Sequence, residues 1–188
     1  KELKLTALSS SKKIKIPLYT SPDLLEFYGF LEGDGNLDQA GVKITNVDKE
    51  LRERINYLSN SLFGVKVTGT VEKRLDLNSR VFISFFKSVF EVPSVKKANN
   101  IKLPKFIFKC TNDEIGAFIK GLFDCDSYVS NSKKEINIIL ASKELINQLT
   151  ILLLRFGIHS RYSEKIKWVA GNKEKTKKIY YSLSISGY

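Results

Sequence analysis

"FYGFLEGDGN", residues 27–36, sets two acidic side chains, Glu32 and Asp34, among three glycines at the end of an apolar run. Glycine, aspartate and asparagine are common where a helix ends in a turn, so the stretch taken alone is typical of a helix stop. Two acids on either side of one glycine are more than such a stop needs, which raises the question of what the carboxylates do.

The stretch has a second copy further along the chain. "FIKGLFDCDS", residues 118–127, repeats the order of apolar residues, glycine and two acids, and 92 residues separate Asp34 from Asp126. The likeness continues downstream, where "DKELRERINYLSNSLFGVKV" (48–67) parallels "SKELINQLTILLLRFGIHSR" (142–161). Similarity at a fixed spacing indicates a chain built from two copies of one structural unit.

Each copy begins with a predicted helix, over residues 21–33 and 112–125. Both helices are apolar on nearly all sides, which is typical of helices buried between other layers. Gly29 and Gly121 have no side chains, so two such helices can approach backbone to backbone. If the helices pack side by side in the same direction, their acidic C-terminal ends meet.

The meeting of these ends predicts a metal site. Carboxylates at helix C-termini are repelled by each other and by the partial negative charge of the helix end, and a cation relieves this repulsion. Magnesium favours oxygen ligands, so we expect it at Asp34 and Asp126, with the preceding residues Gly33 and Cys125 included as ligands. An EF-hand calcium loop is excluded because Gln39 stands where its turn glycine belongs.

The segments that follow the helices alternate apolar and polar residues, which predicts half-buried strands. In the first copy, residues 65–73 form a strand, 75–79 a turn and "RVFISFF" (80–86) the returning strand. In the second copy, residues 160–168 and 178–186 form a hairpin with a charged tip. Each sheet then has one apolar face for its helices and one polar, basic face.

The composition indicates a partner for those polar faces. Among 188 residues, 31 lysines and arginines against 20 acids leave a net charge of +11, which favours a polyanion such as nucleic acid over an inert lysine-rich surface. A basic ribbon also fits a DNA major groove, although solvated sheet faces are common. The predicted DNA-binding residues are Lys43, Lys66, Thr68, Thr70, Arg74, Arg80, Asn137, Arg161, Ser163, Lys165, Lys167, Lys178, Tyr180 and Ser182.

Taken together, the duplicated motif and its matching helices and strands resemble the LAGLIDADG homing endonuclease family in its single-chain, two-repeat form. The resemblance implies an α+β fold of two pseudo-symmetric αββαββα repeats, whose antiparallel sheets form a saddle with the motif helices at the interface. It implies an N-terminal arm at 1–20, a first repeat at 21–109 and a second repeat at 110–188 that lacks its C-terminal helix.

The family resemblance also implies roles for individual residues. Asp34 and Asp126 become catalytic ligands of Mg²⁺, with Mn²⁺ able to substitute and Ca²⁺ expected to bind without supporting cleavage. The first acids of each motif, Glu32 and Asp124, support the helix ends. Asn46 becomes the polar auxiliary residue near the site, with Leu140 at the parallel position of the second copy. Lys97 is the predicted basic residue near a scissile phosphate of the first copy.

The implied function is site-specific, metal-dependent cleavage of both strands of a long, asymmetric DNA target by a monomer. Two alternatives stay open: a non-cleaving nucleic-acid binder such as an RNA-splicing maturase, and the endonuclease insert of an intein. The chain opens on no splicing nucleophile and closes on no His-Asn pair, so we do not expect it to splice by itself. It has no apolar run of about 18 residues, so we expect no membrane span and a place in the cytoplasm or an organellar matrix.

Overall fold

The computed structural model describes residues 14–71, 74–93, 97–168 and 177–187. The first half of the molecule runs α1 (Pro22–Asp34), β1 (Gly35–Leu37), β2 (Val42–Thr45), α2 (Lys49–Phe63), β3 (Thr68–Val71), β4 (Arg74–Leu77) and α3 (Arg80–Val89). After a short α4 (Lys97–Asn100) and a 3-10 turn (Lys105–Lys109), the second half runs α5 (Asn112–Asp126), β5 (Ser127–Ser130), β6 (Glu135–Leu140), α6 (Lys143–Leu154), β7 (Arg161–Trp168) and β8 (Lys177–Ser186). The predicted α+β class is confirmed.

The strands form two antiparallel sheets of four strands each. Their orders are β1-β2-β4-β3 and β5-β6-β8-β7, so corresponding strands occupy corresponding places. The registers also correspond, because Gly35 pairs with Ile44 in the first half and Ser127 with Ile138 in the second. The internal repeat seen in the sequence is therefore a repeat of the fold.

Both motif helices begin at capping residues. The Ser21 side chain accepts a hydrogen bond from the backbone N–H of Leu24 at 3.2 Å, with Pro22 as the first helical residue. At α5, Thr111 and Glu114 form a reciprocal capping box. These caps fix where each helix starts, and hence where its acidic end falls.

The two motif helices pack against each other through their glycines. A Cβ atom built on Gly29 would lie 2.4 Å from the carbonyl oxygen of Phe118, and one on Gly121 would lie 2.4 Å from the carbonyl oxygen of Glu26. No side chain fits at such a distance from a neighbouring backbone. The close approach predicted from the two glycines is confirmed.

An aromatic cluster fills the core of the first half. Phe27 of α1 and Phe63 of α2 have ring centroids 5.3 Å apart in an edge-to-face arrangement. Helix α3 closes over them, with the Phe82 ring 4.9 Å from Phe63 and the Phe86 ring 5.9 Å from Phe27. Helix α3 therefore covers the end of α2 in this half.

The prediction of a strand at "RVFISFF" was wrong. These residues form α3, where Phe82, Phe85 and Phe86 are buried at helical spacing and the Ser79 side chain caps the first turn. The predicted turn at 75–79 was also wrong, because residues 75–77 lie in β4. Arg80, expected on a sheet face, is instead the first residue of α3.

The strict alternation predicted for residues 65–73 holds only in part. Lys66 precedes β3 and is exposed, and an irregularity between Thr68 and Val71 shifts the register against β4. Residues 72–73 lie outside the described part of the chain.

The alternation predicted for the second-half hairpin is confirmed by its pairing. Arg161 is opposite Ser184 and Lys165 is opposite Tyr180, so these residues share one face. Ile179 lies on the other face, as predicted, but it is 51% exposed and is not part of the buried core. Within the described residues, no helix is long and apolar enough to cross a membrane.

Candidate active site and nucleic-acid interface

The two motif acids are the last residues of α1 and α5, and the ends of these helices touch. A Cβ built on Gly33 would lie 2.5 Å from Cβ of Cys125 and 3.5 Å from Oδ2 of Asp126. Because Asp34 follows Gly33 directly, the contact brings the acidic ends of both helices into one place. The structure therefore places together the four residues predicted as metal ligands.

Asn46 lies at this site. Its Nδ2 donates a hydrogen bond to Oδ2 of Asp34 at 2.6 Å, while its Oδ1 accepts from the backbone N–H of Asp48 at 2.7 Å. Because both ends of the amide are engaged, Asn46 holds the Asp34 carboxylate in one orientation. At the corresponding position of β6, Leu140 is buried and apolar. The site is therefore asymmetric.

The pKa of the Cys125 thiol reflects the negative charges at the two helix ends. Burial raises the pKa of Cys125 well above its ordinary value, and the negative charges of Asp34 and Asp126 raise it further. With no cation bound, the sulfur therefore stays protonated at neutral pH. The charged donors that the two helix ends offer a cation are the carboxylate oxygens of Asp34 and Asp126.

These donors fit magnesium. Within the part of the chain that the structure describes, no group of three or more His, Cys, Asp or Glu side chains forms a metal cage. Magnesium is usually held by one or two carboxylates and completes its shell with waters and substrate phosphates, whereas structural zinc and EF-hand calcium need larger protein ligand sets. Two carboxylates at an open helix end match the first of these patterns.

The first acids of the two motifs differ in their surroundings. Glu32 is buried beside Tyr28, whose pKa is raised well above its ordinary value by burial and by the charge of Glu32. Asp124 is exposed and accepts from Lys120 of the same helix at 3.1 Å. Glu32 and Asp124 each lie one residue before the contact between the helix ends. Each also interacts with the side chain four residues earlier in its own helix, Tyr28 for Glu32 and Lys120 for Asp124.

Sequence reasoning missed an ion cluster between the halves. Glu26 of α1 accepts from Arg54 of α2 at 2.5 Å and from Lys120 of α5 at 2.7 Å. Burial alone would raise the pKa of Glu26, but the bonds and charges of its two partners outweigh this and lower it. The signal in the sequence is a lone acid in the middle of an apolar helix.

The polar face of the second sheet forms an open cavity of about 450 Å³. Arg161, Ser163 and Lys165 of β7 line it, and Arg161 is held by an ion pair with Glu135. Asn137 and Ser182 share this face, but Asn137 is only 4% exposed and Ser182 is fully buried. Asn137 nevertheless lines the cavity, where its Oδ1 accepts from the Ser184 hydroxyl at 2.6 Å, and both residues stay predictions as DNA contacts.

Two of the predicted DNA contacts of the first half, Lys43 and Arg74, are bonded to acids. Lys43 forms an ion pair with Asp38, and Arg74 binds Asp76 at 2.9 Å. Both face the polar side of the sheet, since Lys43 pairs with Asp76 across β2 and β4. The side chains of Thr68, Thr70, Lys97 and Lys167 lie outside the described part of the chain.

The segment that carries Lys97 is anchored to the second half, although the sequence placed it with the first. The Ser142 hydroxyl donates to the carbonyl oxygen of Ile101 at 2.6 Å, and the backbone N–H of Leu103 donates to Gln148 at 2.6 Å. These two bonds attach the residues that directly follow α4 to α6 and its capping residue in the second half.

Comparison with known proteins agrees with this architecture. Residues 113–188 match the family model described as "LAGLIDADG-like domain". Among solved structures, the homing endonuclease I-DmoI in complex with DNA and Mn is similar with a TM-score of 0.54 and 17% identity over 88% of this chain and 89% of that one. Full-length DUF199/WhiA from Thermatoga maritima is similar with a TM-score of 0.56 and 16% identity over 92% of this chain and 53% of that one.

Curated relatives are closer in sequence but far longer. The chain is 36% identical over 164 residues to the probable translation initiation factor IF-2 of Methanocaldococcus jannaschii, covering 86% of this chain and 14% of the relative. It is 31% identical over 183 residues to the glutamine–fructose-6-phosphate aminotransferase of the same organism, covering 93% and 16%. It is 38% identical over 179 residues to an A-type ATP synthase protein of Pyrococcus abyssi, covering 94% and 17%. The chain thus spans about a sixth of the length of these relatives.

Proposed function

We propose that this chain, which has the LAGLIDADG fold, is a site-specific endonuclease that cuts both strands of a double-stranded DNA target by metal-dependent hydrolysis. The observation that carries the proposal is the duplicated acid: Asp34 and Asp126 end two helices whose tips are in contact. One carboxylate from each half matches a substrate with two strands. We take residues 21–109 and 110–188 as the two repeats of one monomer that acts inside the cell.

The acid pair is the proposed ion-binding group. Asp34 and Asp126 would hold Mg²⁺, with Mn²⁺ as a substitute, and the neighbouring Gly33 and Cys125 could contribute backbone oxygens. When bound, such an ion supplies an activated water and neutralises the charge that develops on the scissile phosphate. The chain's own part is to fix the carboxylates: rigid helix ends place them, and Asn46 orients Asp34 through its 2.6 Å bond.

The polar face of the second sheet is the proposed DNA contact. Arg161, Lys165 and Lys178 lie on it, and Arg161 forms an ion pair with Glu135. The planar guanidinium of an arginine suits base recognition, while lysines suit phosphates. The net charge of +11 favours association with DNA whatever its sequence. Lys97, at the start of the segment attached to α6, remains our candidate for the basic residue near a phosphate.

The curated relatives suggest that such an enzyme occurs as a segment within longer proteins. A translation factor, an aminotransferase and an ATP synthase protein share no activity, yet each contains a stretch similar to nearly the whole of this chain. A segment that recurs in proteins of different function, and occupies about a sixth of each, behaves as an insert and not as part of the host's activity. We therefore favour the intein-embedded form of the endonuclease.

A non-cleaving nucleic-acid binder is the second candidate. The asymmetry of the site favours it, because Leu140 stands where Asn46 stands in the first half. The fold alone does not decide the matter, since it is common to I-DmoI and to DUF199/WhiA.

Cleavage of a library of long random duplexes separates the two candidates. The chain is incubated with the library in magnesium, in calcium and in EDTA, and the newly formed ends are sequenced. We expect one long target to be cut on both strands in magnesium, and to be retained by the protein but left intact in calcium. If the library yields a bound target that is never cut in magnesium or manganese, the chain is a binder.

A further inference from the structure

One carboxylate, that of Glu26, joins three helices of the molecule. Its Oε2 atom accepts hydrogen bonds from Nε and Nη2 of Arg54 in α2 at 3.2 and 2.5 Å, and its Oε1 atom accepts from Nζ of Lys120 in α5 at 2.7 Å. Arg54 also donates to Asp23, one turn earlier in α1, at 2.9 Å. The Glu26 side chain is only 6% exposed. Because these charged hydrogen bonds are directional, whereas apolar packing is not, they define how α2 lies on α1.

The start of α2 is in turn bonded to the amide that orients Asp34. The Asp48 side chain caps α2 by accepting from the backbone N–H of Leu51 at 3.0 Å, and the backbone N–H of Asp48 donates to Asn46 at 2.7 Å. The other end of the same amide donates to Asp34 at 2.6 Å. Arg54 lies six residues after the cap, which is about 9 Å along the helix. A shift of α2 over α1 therefore moves Asn46 relative to the Asp34 carboxylate.

The pseudo-symmetric counterpart of the bond between Glu26 and Lys120 is an aromatic contact. Glu26 and Phe118 occupy equivalent places, because the carbonyl oxygen of each lies 2.4 Å from a Cβ built on the motif glycine of the opposite helix. Tyr28 occupies the place of Lys120, and its ring stacks on that of Phe118 with the centroids 5.3 Å apart. The two motif helices are therefore joined by ions at one place and by stacked rings at the equivalent place.

The second half differs from the first at all three of these polar positions. Gln148 is the sixth residue after the cap of α6, as Arg54 is in α2, and its side chain bonds to the segment that follows α4. Leu140 and Phe118 stand at the other two places. The amide that orients a motif acid and the ion pair that holds the following helix thus occur together in one half and are replaced together in the other. This joint occurrence indicates that the amide and the ion pair act as a unit.

We propose that Glu26 and Arg54 are positioning residues, whose ion pair sets α2 on α1 so that Asn46 stays bonded to the Asp34 carboxylate. Glu26 lies eight residues before Asp34 in α1, about 12 Å away along the helix, so it acts through α2 and not on the reacting atoms. Lys120 holds the second oxygen of Glu26 and so keeps this carboxylate in place. The catalytic consequence rests on the proposed function, whereas the link from Arg54 to Asn46 is a property of the folded chain alone.

The first arm of the test needs neither DNA nor metal. The side-chain amide protons of Asn46 give an NMR signal, identified by its loss in Asn46→Ala, that reports the bond to Asp34. We expect Arg54→Met to move this signal towards that of a free asparagine and to speed the exchange of these protons with water. The matched control is Gln148→Met at the equivalent position of α6, which should leave the signal unchanged. Should Arg54→Met not fold, Arg54→Lys keeps the charge, loses the planar pair of donors and should move the signal in the same direction. An Asn46 signal that is unchanged in the folded Arg54 variant would overturn the proposal.

The second arm is a double-mutant cycle on the rate of double-strand cleavage. Arg54→Met should slow cleavage by about tenfold or more in the unsubstituted chain, but by less than about twofold when Asn46→Ala is already present, because both changes release the same carboxylate. DNA affinity in calcium should stay within about threefold throughout, since neither residue is a proposed DNA contact. Effects that multiply across the two changes would overturn the proposal, because the loss of Arg54 would then act independently of Asn46. If the unsubstituted chain cuts no target, the proposed function fails, and the Asn46 signal of the first arm then decides the positioning role by itself.

Discussion

Two glycines of the same helix should respond to alanine with opposite signs. Gly121 and Gly116 both lie in α5, but a Cβ on Gly121 would sit 2.4 Å from the carbonyl oxygen of Glu26, whereas a Cβ on Gly116 has its nearest neighbour, Cζ of Phe156, at 3.9 Å. Gly121→Ala therefore forces α1 and α5 apart, and Gly116→Ala makes an ordinary van der Waals contact.

The magnitudes follow from these distances. Overpacking costs roughly 1–3 kcal/mol, and a clash with a backbone carbonyl belongs at the upper end because the oxygen cannot rotate away. Helix propensity offsets about 0.5–1 kcal/mol of this, which leaves Gly121→Ala destabilised by roughly 2 kcal/mol. Gly116→Ala meets no clash, so the higher helix propensity of alanine should raise the free energy of unfolding by about 0.5–1 kcal/mol. At this chain length the shifts in Tm are about −4 to −8 °C and +1 to +4 °C.

Urea denaturation followed by circular dichroism measures both variants, and thermal unfolding gives Tm. The free energy of unfolding should fall for Gly121→Ala and rise for Gly116→Ala relative to the unsubstituted chain. A stability change of the same sign in both variants would refute the backbone contact between the motif helices, and with it the placement of the two acidic helix ends.

Three further predictions concern single side chains. Glu26→Gln should destabilise the chain most at neutral pH. Because the bonds to its partners lower the pKa of Glu26 in the folded state, the difference in stability between the variant and the unsubstituted chain should shrink as pH falls below about 4.5. Urea midpoints measured across pH test this. Lys165→Ala should weaken DNA binding and lower the slope of log affinity against log salt concentration by about one unit, without changing Tm. Leu183→Ala, at a buried position, should instead cost roughly 2–5 kcal/mol of stability. If both variants had the same effects on DNA binding and on stability, the assignment of the two sheet faces would be contradicted. Asn46→Ala should slow cleavage while DNA affinity, measured in calcium, stays within about threefold, and an unchanged cleavage rate would show that its bond to Asp34 is not needed.

The sequence predicted the parts of the fold that depend on local repetition. The duplicated motif and the alternation along β7 and β8 are each visible within short stretches of sequence, and glycines at equivalent positions of the two motif copies indicated the contact between α1 and α5. The segment of α3 was read as a strand because valine, isoleucine and phenylalanine favour strands, and tertiary packing on Phe63 overrides that preference.

The parts that could not be predicted depend on contacts between distant residues. Glu26 binds Arg54 and Lys120, which are 28 and 94 residues away, and no pattern in the sequence pairs them. The exposure of Ile179 depends on which helices cover the sheet. The alternation of apolar and polar residues predicts on which face of the sheet a residue lies, but not whether that face is covered. Asn46 could be placed near the site by resemblance, but its bond to Asp34 required the structure.

Cleavage by the two single variants Asp34→Asn and Asp126→Asn, on a target selected from the duplex library, tests the central claim most directly. Each substitution keeps the size of the side chain and removes one charged oxygen ligand. We predict that neither variant makes the double-strand cut in magnesium, while the affinity of each for the target in calcium stays within about tenfold of the unsubstituted chain. A normal rate of double-strand cleavage by either variant would contradict the assignment of the acidic helix ends as the active site.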